Sequence, residues 1–290
     1  MREALVFGGT GQIGQPVIER LRLAGWRVTA VSRRIQSDAG GVRWQRGDFD
    51  AMPVLPAEFD AIVSCGPLDR FGRWYAQSGV AAPRVVAFGS TSIDAKQASA
   101  DAFERDLVRR LGEGERNVLE TARARAAAAT LLRPTLVYGA GRDASLTRIA
   151  RLARRWGRFP LPRNADGLRQ PVHVDDLADA VMACLDQPAS YGRAYALPGG
   201  ETLPYREMVA RVLSALQPPA QLVELPRPLF GLSLRIAQAG GRAHGLGAAA
   251  LARMHDDLVF DARPAQVDFD YEPRPFRPSA DMFEAQRPAP

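Results

Sequence analysis

Lysine is almost missing from this sequence. Of its 38 basic residues all but one are arginine, the exception being Lys96, so any chemistry that needs a lysine amine has a single candidate. Cysteine is nearly as scarce. Cys65 and Cys184 are too few for a disulfide framework and show no metal-ligand spacing, so no metal site is expected. Each reads as a small buried hydrophobe. No stretch approaches ~18 uninterrupted apolar residues, which argues against a membrane span. The opening apolar run, Ala4 to Phe7, is too short for a signal-peptide core. The chain is therefore expected to begin at residue 1 and to work in the cytoplasm.

What remains is an ordinary globular composition: 290 residues, 46% apolar and 24% charged, with a net charge of +6. That size suits one α/β domain with a smaller appendage. An excess of positive charge made of arginine beside abundant alanine reads as compositional bias, not as a nucleic-acid surface.

Short apolar runs at 2–8, 26–31, 42–46, 59–65, 84–88 and 128–138 read as strands. Between them, Gln12 to Ala24 has helical spacing through Ile13, Val17 and Leu21. Ala98 to Arg125 is a second helical stretch, expected to break at Gly112 and Gly114. Strands alternating with helices imply right-handed parallel crossovers, hence a doubly wound Rossmann-type α/β sheet. After Gly141 the pattern loosens into helices at 146–156, 175–185 and 205–216, with a Pro-containing segment from Phe159 to Asn164. Two domains are expected: a dinucleotide-binding domain over 1–141 and a mixed helical substrate lobe over 142–290, with some later elements returning to the first. The tail from Pro264 is expected to wrap the surface without a core of its own.

The most informative segment is Gly8-Gly9-Thr10-Gly11-Gln12-Ile13-Gly14. It ends the first strand and opens the first helix. Glycine there permits a sharp turn, lets backbone approach a pyrophosphate and allows close helix–strand packing. The pyrophosphate would sit where the helix presents free N–H groups. The second strand ends Ser32-Arg33-Arg34, where an NAD-selective site carries an acid ~20 residues on. Two arginines and no acid suit a ribose 2′-phosphate, so the expected cofactor is NADP(H). Solvated turn arginines are the alternative. Asp48, after the third strand, would touch the adenine edge; turn chemistry accounts for it almost equally well.

The chain resembles the extended and atypical short-chain dehydrogenase/reductases, the NAD-dependent epimerase/dehydratase group. The likeness rests on the glycine turn, Phe88-Gly89-Ser90-Thr91-Ser92, Leu132-Arg133-Pro134 through Gly139, Pro171 through Ala178, Tyr195-Ala196-Leu197 and Asp257 through Asp261. It implies that Arg133-Pro134 lines a nicotinamide pocket and that Thr91, with Ser90 and Ser92 beside it, hydrogen-bonds the reacting oxygen. His173 and Asp175 match positions that support a loop and cap a helix.

One departure stands out. The family's Tyr-x-x-x-Lys pair is absent, and residues 93–137, where it belongs, hold no tyrosine. Counting back from Arg133-Pro134 puts Gly112 at the tyrosine position and Arg116 at the lysine position. Arg116 would hold a ribose hydroxyl but cannot serve as a base. Glu113, Glu115 and Glu120 read as a solvated helix face. Arg148, Arg151, Arg154, Arg155 and Arg158 form a basic face beside Trp156, solvated by default, with an anionic substrate, an acidic partner or an anionic membrane as alternatives. Two functions stay open: an NADP(H)-dependent oxidoreductase or epimerase-like enzyme on a small carbonyl or nucleotide-sugar-like substrate, neutral or anionic, or a non-catalytic NADP(H)-binding module. A homodimer is compatible with either.

Overall fold

The computed structural model describes residues 1–34, 36–38, 40–226, 228–230 and 254–284. Seven parallel strands make the main sheet: β1 (Glu3–Phe7), β2 (Arg27–Ser32), β3 (Val42–Arg46), β4 (Ala61–Ser64), β5 (Arg84–Phe88), β6 (Ala128–Pro134) and β11 (Arg193–Leu197). Their order across the sheet is β11-β6-β5-β4-β1-β2-β3. The doubly wound reading is therefore correct. The inner strands are mostly apolar because helices cover both faces; β4 and β5 are buried at every residue, Ser64 and Arg84 included. The order reverses between β1 and β4, and a crevice at the carboxyl ends of the strands at such a point is where ligands bind in open α/β sheets.

The chain divides into two units, Met1–Thr135 with Val174–Pro198 and Asp261–Pro273, and Leu136–His173 with Gly199–Phe260 and Arg274–Pro290. In the first, helices α2 (Leu68–Gln77) and α4 (Ala102–Ala124) pack together, and α1 (Gly14–Leu23) packs on α6 (Val174–Leu185). The core joins Leu5, Phe7, Ile62, Phe71, Val85 and Leu131. A short helix, α3 (Ser92–Ala95), leads from β5 toward α4.

Helix α4 does not break where expected. It runs through Gly112 and Gly114 because Gly114 is a crossing point: a Cβ there would stand 2.8 Å from the Leu68 backbone, and one on Gly72 would stand 2.7 Å from the Gly114 oxygen. The two glycines let the α2 and α4 backbones touch.

Arg84, buried at the start of β5, ties elements together without a carboxylate. It donates to the carbonyls of Cys184, Leu185 and Ala128 and to Thr130 Oγ1 at 2.5–3.2 Å, and its guanidinium lies 3.9 Å from the Tyr191 ring centroid. The orphan carbonyls at the end of α6 are satisfied this way.

In the second unit, α5 (Leu146–Trp156) and α7 (Tyr205–Ala215) share a core with Tyr138, Phe276 and Phe283. The segment beginning at Phe159 lies in strand β8 (Arg158–Pro162), paired in parallel with β13 (Gln221–Leu225). Four two-residue strands pair with one another: β7 (Val137–Tyr138) with β10 (Val172–His173), and β9 (Leu168–Arg169) with β12 (Leu203–Pro204).

The C-terminal tail is anchored, contrary to expectation. Helix α8 (Arg263–Phe269) begins with proline, and Phe269 meets the Tyr195 ring edge-on at 5.0 Å. Tyr195 donates to Asp268 at 2.6 Å, and Tyr271 to the Pro198 carbonyl at 2.8 Å. Further on, Phe276 packs edge-on against Tyr138 at 4.9 Å. Aromatic side chains spaced along a proline-rich run supply the burial that its composition conceals. Residues 285–290 of that tail lie outside the described residues. No helix among the described residues is long and apolar enough to cross a membrane.

Candidate functional site

The glycine turn sits at the carboxyl end of β1, beside the reversal of strand order. Gly8 has φ +72°, a conformation that L side chains rarely adopt, and a Cβ on it would stand 2.7 Å from the Cys65 backbone. A Cβ on Gly14 would stand 2.7 Å from Gly9 Cα and 2.8 Å from the Gly8 carbonyl carbon. Gly9 is enclosed by Ile18 and the Trp44 ring. The Gly11 N–H closes the turn on the Gly8 carbonyl at 2.8 Å, and Gln15 N–H bonds the Gly11 carbonyl at 3.2 Å. The N–H groups of Gln12, Ile13 and Gly14 have no acceptor among the described residues, and α1 begins without a side-chain cap. The Gln12 Oε1 atom is buried with no partner. Unspent donors at the positive end of a helix, walled by glycine, fit a phosphate-bearing group.

At the end of β2, Ser32 is buried and its Oγ accepts the Arg34 N–H at 3.2 Å, while Arg33 and Arg34 are exposed. Asp48 is committed to its turn: Oδ1 accepts from the N–H groups of Asp50 and Ala51, both at 2.9 Å. Those backbone bonds hold its carboxyl below the usual range, helped by Arg33 and Arg70 nearby.

The residues after β5 meet those at the end of β6. Thr91 is buried, and its hydroxyl donates to the Pro134 carbonyl at 3.1 Å; its N–H reaches the same oxygen at 3.2 Å. Ser90 Oγ accepts the Ser92 N–H at 3.1 Å, and both serines are half-buried. Thr91 thus already spends its proton on Pro134, which leaves the two serine hydroxyls as the freer donors of the trio.

Beside them Arg133 grips Glu115 with two bonds, 2.7 and 2.5 Å, and reaches Asp94 at 3.3 Å. Glu115 is buried, so the reading of all three glutamates as a solvated face fails for it. Glu113 pairs with Arg109 and Glu120 is exposed, as expected. An Arg133 at the end of a buried strand was the signal for a buried acid, since an arginine there needs a partner. Arg116 is exposed and, with Gly112, Ile93, Asp94 and Gln97, lines a cavity of about 390 Å³. Arg154, on the basic face of α5, donates to the carbonyls of Ala280 and Phe283. Arg151, Arg155 and Arg158 remain exposed.

Tyr195 and Tyr271 spend their hydroxyls on Asp268 and the Pro198 carbonyl, whereas the buried Tyr75 hydroxyl has no hydrogen-bond partner among the described residues. Burial pushes Tyr75 and Tyr205 up, and Tyr195 and Tyr271 further, the last two also feeling Asp268 and Asp176 respectively. A phenol raised in this way is a poorer acid at neutral pH. Tyr138 is buried against His173 and Phe276.

Residues 113–197 match the model of the NAD dependent epimerase/dehydratase family. Among curated relatives, the chain is 26% identical over 118 residues to the UDP-glucose 4-epimerase of Vibrio cholerae, covering 41% of this chain and 35% of that one. It is 25% identical over 256 residues to the mitochondrial NADH dehydrogenase (ubiquinone) 1 alpha subcomplex subunit 9 of Arabidopsis thaliana, 78% of this chain and 61% of that one. It is 27% identical over 254 residues to the 2-alkyl-3-oxoalkanoate reductase of Stenotrophomonas maltophilia, 74% and 76% of the two chains. The chain thus spans less than two thirds of the first two relatives. In fold it is similar to the epimerase Mth375 of Methanothermobacter thermautotrophicus (TM-score 0.71, 15% identity, 97% of this chain and 90% of that one). It is also similar to MoeE5 in complex with UDP-glucuronic acid and NAD (TM-score 0.68, 21% identity, 94% of each). A family model over residues 113–197, the sequence relatives and the fold all liken the chain to NAD-dependent epimerases, dehydratases and reductases.

Proposed function

We propose that this chain binds NADP(H) at the glycine turn and acts as an oxidoreductase or epimerase-like enzyme on a small carbonyl or nucleotide-sugar-like substrate. The observation that carries the cofactor part is the turn itself, with three unspent N–H donors at Gln12, Ile13 and Gly14 in a cradle packed so closely that a Cβ on Gly8, Gly9 or Gly14 would collide with neighbouring protein atoms. Gly8, Gly9, Thr10 and Gly11 shape that cradle. Arg33 and Arg34, exposed at the end of β2 with Ser32 where an acid would stand, favour a ribose 2′-phosphate. Asp48 keeps one carboxylate oxygen for the adenine edge. Arg133-Pro134 and the turn that follows would line the nicotinamide pocket, and Arg116 would reach a ribose hydroxyl. When bound, the nicotinamide supplies or accepts hydride. Ser90 and Ser92 donate to the substrate oxygen, and Thr91, fixed by Pro134, holds their turn in place.

Support for the substrate class comes from the relatives, which include a UDP-glucose 4-epimerase and a 2-alkyl-3-oxoalkanoate reductase. Arg33→Ala tests the cofactor reading. Losing a charge-assisted bond of about 1.5–3 kcal/mol should weaken NADPH binding ~10- to 100-fold while NADH binding changes little. Equal losses for both would refute the 2′-phosphate assignment.

A second reading is a binding module that holds NADP(H) without turnover. The missing Tyr-x-x-x-Lys pair favours it, as does the likeness to an NADH dehydrogenase (ubiquinone) subunit. It expects NADPH to raise the melting temperature without being consumed alongside any member of a panel of 3-oxoacyl and UDP-sugar compounds; steady consumption with one of them would remove it.

A further inference from the structure

We propose that the outer face of α5 docks on an anionic phospholipid surface. Between Asp143 and Asp166 the sequence holds six arginines and no acid. Successive helix positions turn by about 100°, so Arg148, Arg151 and Arg155 fall within about 60° of one another along about 10 Å of axis. Arg151 and Arg155 are exposed and Arg148 is half-buried, while Leu146, Ile149, Ala150 and Ala153 turn the opposite face into the core. Gly157, with φ +66°, ends the helix, and Arg158 follows it, also exposed. Among the described residues the side chains of Arg148, Arg151, Arg155 and Arg158 have no hydrogen-bond or carboxylate partner. Arg154 is different: it donates to the carbonyls of Ala280 and Phe283 and lies 3.3 Å from Glu284. Other helices show what a solvated basic face looks like in this chain. Arg109 on α4 is paired with Asp106 and Glu113, and Arg211 on α7 with Glu201 and Glu207. The α5 face lacks such acids.

Helix-end chemistry accounts for only part of this row. Arg154 and Arg155 stand in the last turn, where the free carbonyls favour cations, but Arg148 and Arg151 lie earlier than that effect reaches. The choice of occupant rests on Trp156. It is 43% exposed at the end of the same helix, one turn after the half-buried Leu152. An indole beside guanidiniums suits the headgroup level of a bilayer, where the ring sits between water and hydrocarbon while the cations meet phosphates. Guanidinium is weakly hydrated and takes phosphate oxygens two at a time. A plane of phosphates engages every member of such a row at once, whereas a single small anion would reach one or two. Single-stranded nucleic acid would stack its bases on several aromatic rings, and this face exposes one.

The test is sedimentation of the full chain with vesicles of phosphatidylcholine, alone or with about 30% phosphatidylserine, at about 0.1 M salt. Binding is expected to the phosphatidylserine vesicles only and to fade as salt rises. Each arginine near an anionic leaflet contributes about fivefold, so Arg151→Gln/Arg155→Gln should lower partitioning ~30-fold. A matched loss of two exposed charges from β3, Arg43→Gln/Arg46→Gln, should lower it no more than about threefold, the share due to net charge. Both variants alter exposed side chains and should melt with the parent, which a thermal scan checks. The chain has four tryptophans, so Trp156 emission is taken as the difference between the parent and Trp156→Phe. It should shift to the blue on the anionic vesicles and be quenched by brominated lipid. No binding to those vesicles, equal losses in the two double variants, or Trp156 emission unmoved by bound lipid overturns the proposal. Tighter binding of a single-stranded RNA oligonucleotide or of polyglutamate, lost in Arg151→Gln/Arg155→Gln, overturns it too, and would assign the face to nucleic acid or to an acidic protein.

Discussion

Replacing Gly14 by alanine should damage cofactor binding more than folding. The new methyl would stand 2.7 Å from Gly9 Cα and 2.8 Å from the Gly8 carbonyl carbon. Ordinary carbon–carbon contact is ~3.5–4.0 Å, so the turn must open by about 1 Å. Overpacking of this kind costs ~1–3 kcal/mol, and alanine returns up to about 1 kcal/mol of helix propensity at the start of α1. The Gly8 carbonyl oxygen is nearer still and all three neighbours are backbone, so the net loss of stability should be ~0–3 kcal/mol, a fall in Tm of up to several degrees. Binding bears a different load. The Gln12, Ile13 and Gly14 N–H groups lie in the part of the turn that must move, and losing one such bond to a charged phosphate costs ~1.5–3 kcal/mol. NADPH Kd should rise at least ~10-fold, measured by fluorescence titration at a temperature where both proteins are folded. Gly79→Ala is the control, since a Cβ there meets nothing within 4 Å. Unchanged NADPH affinity in Gly14→Ala would refute the idea that this turn carries the phosphates.

Two glycines two residues apart in α4, hence on opposite faces of the helix, should respond oppositely. Gly112→Ala should stabilise by ~0.5–1 kcal/mol because its Cβ meets nothing nearer than 3.7 Å, whereas Gly114→Ala should destabilise by ~1–3 kcal/mol at the α2 crossing; urea melts would read both. Glu115→Gln should cost about 3 kcal/mol, the low end for breaking a buried pair, because Arg133 keeps 22% of its side chain in water. A chemical melt within 0.5 kcal/mol of the parent would contradict that pairing. Arg211 holds Glu201 below the usual carboxylate range, so this pair adds stability above the ordinary glutamate pKa and loses it as pH falls through the lowered folded value. Glu201→Gln should accordingly flatten the acid side of a Tm-against-pH curve. Burial pushes the Cys184 thiol up to about 12, so native protein at pH 8 should resist alkylation there, as peptide mass mapping would show.

The parallel sheet was legible because both-face burial writes itself as unbroken apolar runs, as in Ala4–Phe7 and Val85–Phe88. The glycine turn was legible because its residues answer to local backbone geometry. What failed to show depends on partners distant in sequence. Gly114 reads as a helix breaker until Leu68 is brought against it, and Glu115 reads as solvent-facing until Arg133 arrives. The anchoring of the tail hides for the same reason, since Tyr271 and Phe276 are single aromatics whose seats are made by Pro198 and Tyr138. The Lys96–Glu104 pair joins a helix cap to a first turn eight positions on, a spacing that no single-helix periodicity would pair.

The outermost strand of the main sheet, β11, is synthesised only after residues 136–192 have left the ribosome. Until it docks, β6 offers a bare row of amide and carbonyl groups flanked by Leu131 and Leu132. A nascent or truncated chain stopping at Thr135 would therefore carry a sticky border along a hydrophobic strand, of the sort that recruits neighbouring chains. Expression of this half alone should yield aggregates, and full-length folding should be sensitive to anything that delays the return of Arg193–Leu197.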